Sequence, residues 1–87
     1  MHEASVMNAL MRKIETVAEE QGAARVVGVS VRLGALSHMT PGHFTEHFLQ
    51  ASAGGIAEGA ALDIDVSEDP GEDWAQEVLL ESVEIET

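Results

Sequence analysis

Apolar residues recur at three- and four-residue spacing through the first quarter of the chain. Val6, Leu10, Ile14, Val17 and Ala18 share one side, and Met7 and Met11 broaden the stripe. Asn8, Arg12, Lys13, Glu15, Thr16, Glu19 and Glu20 occupy the other side, so residues 4–21 read as an amphipathic helix. Gly22 follows as a residue able to take the left-handed conformation that stops a helix. On this spacing the methionines are core filler rather than metal ligands. The period then drops to two: Val27, Val29, Val31 and Leu33 alternate with Gly28, Ser30 and Arg32, the pattern of a half-buried strand. Gly34 ends it, and Ala35 to Thr40 form a loop. Thr40 as cap, Pro41 at the first helical position and a Met39–Phe44 staple open a second helix. Phe44, Phe48 and Ala51 are its expected buried stripe, and Gly54-Gly55 its end.

Leu62, Ile64 and Val66 alternate with Asp63, Asp65 and Ser67 in a second strand. The acidic run Ser67 to Gln76, centred on Pro70-Gly71, reads as a solvent-exposed turn or loop. Its Trp74 either lies back on the core or marks a contact surface. Glu77 to Glu86 form a third strand whose apolar phase changes between Leu80 and Val83, so a bulge is expected across Glu81-Ser82. The order helix–strand–helix–strand–strand gives an α+β fold, with two helices packed on one face of a three-stranded mixed sheet. Strand–helix–strand connections are almost always right-handed, so the first two strands should run parallel or share a sheet in that sense. The last strand, reached by a short loop, should run antiparallel to the second.

Eighty-seven residues make one small domain, 1–87, with no internal repeat or boundary. A chain of this size buries only about 60–65% of its unfolded surface. No apolar run approaches the roughly 20 residues that span a bilayer, and no export signal opens the chain. Cysteine is absent, which removes disulfides and thiolate zinc sites together. A cytoplasmic location follows as the default. The formal charge is −12, from 16 acids against 4 bases. That balance argues against nucleic acid or an anionic membrane as partner and fits a cation or a basic protein surface. The acids gather from Asp63 onward, whereas all four bases lie between Arg12 and Arg32.

The chain opens Met1-His2-Glu3. The Met1 amine, the His2 backbone nitrogen and the His2 imidazole can chelate one ion through adjoining rings, and the Glu3 amide nitrogen can close a square. Square-planar nitrogen ligation suits Ni(II) and Cu(II). His2 is bulky, so Met1 is expected to be retained, as the clamp needs. His43 and His47, four apart, share a helix face and form a possible secondary metal pair, against a plain reading as a solvated flank. Two imidazoles are an incomplete site, and Gly42 and Glu46 do not supply an HExxH motif. His38 is expected to cap or to face solvent. Catalysis finds little support. No serine sits in a G-x-S-x-G setting, no glycine run leads into Gly-Lys-Ser/Thr, and no acid pair is framed by apolar residues.

Taken together, four segments resemble the HypA/HybF family of nickel-delivering hydrogenase (and sometimes urease) maturation proteins. They are Met1-His2-Glu3, the run Val31-Arg32-Leu33-Gly34-Ala35-Leu36-Ser37, the Thr40-Pro41 helix start, and Ala57-Glu58-Gly59-Ala60-Ala61-Leu62-Asp63-Ile64. Val78 to Glu86 looks like the family's closing strand. The resemblance implies Ni(II) on Met1, His2 and Glu3. It also implies a maturation GTPase as partner, a hydrogenase large-subunit precursor as recipient, and a monomer or homodimer. One departure is large: the family carries a zinc lobe with two Cys-x-x-Cys pairs between its second and third strands, where this chain has Ser67 to Gln76 and no cysteine. No zinc is therefore expected. An alternative in another class is a metal-free interaction or scaffold paralogue that docks on a hydrogenase subunit or maturation factor.

Overall fold

The computed structural model describes residues 3–87, with side chains from residue 5. Its elements are α1 (Glu3–Glu20), β1 (Arg25–Leu33), α2 (Pro41–Ser52), β2 (Ala61–Val66) and β3 (Val78–Glu86). β1 is the central strand of a mixed sheet ordered β2-β1-β3, parallel to β2 and antiparallel to β3. β3 thus runs opposite to β2, as expected, but it pairs with β1 and lies on the far side of it.

Both helices pack on one face of this sheet. Ile14 and Ala18 of α1, Phe44 and Phe48 of α2, and Val26, Val29, Val31 and Leu33 of β1 are almost fully buried together. The α1 stripe sits one step over from its predicted centre. Met7, Leu10 and Met11 are buried, while Val6 and Val17 are only half-buried. In α2 the third buried position is Ser52, not Ala51, because Phe44, Phe48 and Ser52 follow one another at four-residue steps and Ala51 turns outward. The Thr40 hydroxyl accepts the His43 N–H at 3.1 Å, and Pro41 opens the helix.

The expected bulge is present: Ser30 faces Ser82 and Val31 faces Leu80, which leaves Glu81 as the extra residue. A second irregularity lies on β1, where Val26 faces Ile85 and Gly28 faces Glu84, so Val27 has no partner. That slip places Val26 rather than Val27 on the core face. The opposite face of the sheet carries Ser30, Arg32, Asp63, Asp65, Ser82 and Glu84 and has no helix over it.

Because β2 and β3 flank β1, the chain between them must cross the C-terminal end of β1. The crossing is tied down by backbone hydrogen bonds: Ser67 N–H to Leu33 O at 2.9 Å, Leu36 N–H to Ala75 O at 2.7 Å, and Gly34 N–H to Glu77 O at 2.9 Å. Ser67 and Ala75 are buried as a result, while the rest of this turn-rich run is exposed or half-buried. The Ser67 hydroxyl donates to Glu72 and accepts from the Asp69 N–H, and Asp69 in turn accepts from the Gly71 N–H.

Candidate metal centre

The described part of α1 starts at Glu3, and the N–H of a third residue has no carbonyl four positions before it to bond. The Glu3 amide therefore belongs to a set of donors that no helical hydrogen bond uses. Met1 and His2 lie outside the described residues, as does the Glu3 side chain. The first turn of α1 adjoins the end of the crossing segment: Ser5 and Val6 line a shallow cleft with Gln76, Glu77 and Val78.

His43 and His47 lie side by side on α2, with ring centroids 6.5 Å apart and ring planes at 72°. At a tetrahedral angle an ion about 2.1 Å from a nitrogen of each ring needs centroids roughly 5 Å apart, so in these rotamers the pair stands too wide for a tetrahedral site. Among the described residues no group of three or more His, Asp or Glu side chains is gathered for a metal. His38 is exposed, in a left-handed backbone conformation at φ 60°.

Arg32 and Trp74, which sequence reasoning did not connect, meet on the open sheet face. The guanidinium carbon lies 5.3 Å from the Trp74 ring centroid, a cation–π contact. Arg32 Nε lies 3.1 Å from Asp65 Oδ2, at ion-pair distance but off the hydrogen-bonding direction. Register carries half of this signal, because parallel pairing sets Arg32 beside Asp65. Trp74 is half-buried against this cation rather than sunk in the core.

Residues 1–72 match the family described as hydrogenase/urease nickel incorporation, metallochaperone, HypA. The chain belongs to the HypA family. It is 39% identical over 74 residues to the hydrogenase maturation factor HypA of Methylocella silvestris, covering 85% of this chain and 64% of that protein. It is 44% identical over 66 residues to the HypA of Archaeoglobus fulgidus, covering 76% and 60%. The chain thus spans about three fifths of the length of these relatives. The solution structure of the nickel metallochaperone HypA from Helicobacter pylori superposes with a TM-score of 0.80 at 23% identity, over 98% of this chain and 97% of that one. At that identity the likeness establishes the fold. The HypA match ends within the crossing segment, at residue 72, with β3 beginning at Val78. No helix among the described residues is long and apolar enough to cross a membrane.

Proposed function

We propose that this chain is a cytoplasmic nickel metallochaperone for [NiFe]-hydrogenase maturation, a single HypA-like domain over residues 1–87 without the zinc lobe. Ni(II) is its cargo. The Met1 amine, the His2 amide and imidazole nitrogens and the Glu3 amide hold the ion, and a maturation GTPase helps pass it to a hydrogenase large-subunit precursor. The observation that carries this reading is a HypA match that begins at residue 1 and so takes in the Met-His-Glu start. Ligation through the Glu3 amide costs no helical hydrogen bond, because a third residue has no carbonyl four positions before it. His43 and His47 are a weaker second position, since no third ligand joins them among the described residues.

A carrier of this kind needs an uncovered amine. Nickel titrated into protein with its native start should bind at one equivalent, and adding one residue ahead of Met1 should lower the affinity by at least tenfold. Equal affinities would end the proposal. The absence of cysteine favours one competing reading, a metal-free paralogue that docks on a hydrogenase subunit or maturation factor. Under that reading His2→Ala keeps both partner binding and hydrogenase maturation. Under the carrier reading it keeps at most the first.

A further inference from the structure

The chain carries four cations, and two of them are neutralised where they stand. Arg25 lies 3.9 Å from Glu86, and Arg32 lies 3.1 Å from Asp65. Arg12 and Lys13 have no ion pair or hydrogen bond among the described residues. Lys13 has no acid three or four residues away on α1, and for Arg12 only Glu15 stands at that spacing. In a molecule of net charge −12, two adjacent unpaired cations are the exception.

Their position adds to this. Arg12 and Lys13 rim a groove between the outer flank of α1 and β3, floored by Ala9, Thr16, Val17 and Leu80. The surface between the two charges is mainly apolar, and neither helix nor strand covers it. The groove continues past Val6 to Val78, sharing Ala9 and Lys13 with its second half. From Ser5 to Val17 the flank runs about 18 Å at 1.5 Å per residue, the span of five or six extended residues. Lys13 stands where the two halves meet, and Glu77 lies at the far end.

We infer that this groove is a docking site for a short acidic, aliphatic-rich segment of a partner protein, whose carboxylates meet Arg12 and Lys13 while its aliphatic side chains fill the floor. Charge complementarity selects this occupant. A basic segment would be drawn to Asp63, Asp65 and the crossing segment instead, and an uncharged one would leave two cations beside apolar surface without a counter-charge. A second copy of this chain would bring a charge of −12 spread over its whole surface, whereas a short segment sets its carboxylates against Arg12 and Lys13 alone. The inference does not depend on nickel and is tested in metal-free protein.

The probes are three six-residue peptides with one aliphatic pattern and with Glu, Ser or Lys at the remaining positions, titrated into isotopically labelled protein at low salt. The Glu peptide should shift the amide resonances of Ala9, Arg12, Thr16, Val17 and Leu80 and bind at least tenfold more tightly than the Ser peptide. The Lys peptide should leave those resonances unmoved. Arg12→Ser with Lys13→Ser, both on exposed side chains, should abolish the preference for Glu while leaving thermal unfolding unchanged. Equal affinities for Glu and Ser peptides would overturn the inference, as would shifts centred on Asp63 and Asp65. It would also be overturned by concentration-dependent self-association that the double variant removes, which would give the groove to a second copy.

Discussion

A Cβ at position 34 would overlap the carbonyl of Ala75, backbone against backbone, where the crossing segment passes over the end of β1. Neither segment can move aside without breaking the Leu36–Ala75 or Gly34–Glu77 hydrogen bond. Gly34→Ala should therefore cost about 1–3 kcal/mol, as overpacking does, and should release Trp74 from Arg32. Urea unfolding measures the first effect, and the emission of the only tryptophan reports the second. Gly42, in the first turn of α2, is the control. A Cβ there meets nothing closer than Thr40 Oγ1 at 4.0 Å, so Gly42→Ala should be neutral or stabilising by up to about 1 kcal/mol. At the start of the chain the decisive atoms are nitrogens that must shed protons before they bind metal. The His2 imidazole and the Met1 amine have reference pKa values near 6.5 and 7.7–8.0. Both are protonated as pH falls, so nickel affinity should drop between about pH 7.5 and 6, measured by calorimetry in a weakly coordinating buffer. A flat profile over that range would point to ligands of another kind.

The elements show what periodicity can and cannot convey. The change of phase between Leu80 and Val83 was enough to predict the Glu81 bulge, because an apolar residue on the wrong face signals an extra residue. The irregularity at Val27 sent no such signal. Val26 and Val27 are both apolar, and either could face the core until pairing with Ile85 and Glu84 decides. Ser52 was hidden for the opposite reason: helix geometry puts it beneath Phe48, but a serine does not look like a core residue. The bulge is also testable. Deleting Glu81 alone restores strict alternation and keeps all four apolar residues on the helix face, whereas deleting Glu81 and Ser82 together forces either Val78 and Leu80 or Val83 and Ile85 off it. These side chains are partly buried, so the double deletion should cost about 2–4 kcal/mol, read as a lower denaturant midpoint. An unchanged midpoint would mean that β3 is not held by its side chains.

For the whole molecule, composition and element order conveyed the α+β class and the parallel β1–β2 pair, but not the neighbour of β3. A short connection fixes direction, and only the crossing over Leu33 to Ser37 sets β3 against β1. That arrangement spends the segment between β2 and β3 on closing the sheet. It also brings Arg25 to Glu86, as the parallel β1–β2 pair brings Arg32 to Asp65, so two of the four bases find acids that lie far along the sequence. The candidate metal site was legible only as three residues, since chelation by a chain start depends on covalent spacing more than on the fold behind it. The most direct test of the nickel assignment follows from spin state. Square-planar Ni(II) with four nitrogens is diamagnetic, whereas a high-spin ion of higher coordination broadens nearby resonances. In the proton–nitrogen spectrum of protein loaded with one equivalent of nickel, signals from Ser5 to Leu10 should shift and stay sharp while those of Phe44 and Phe48 do not move. Broadening centred on His43 and His47, or a spectrum unchanged at the start of α1, would contradict the assignment.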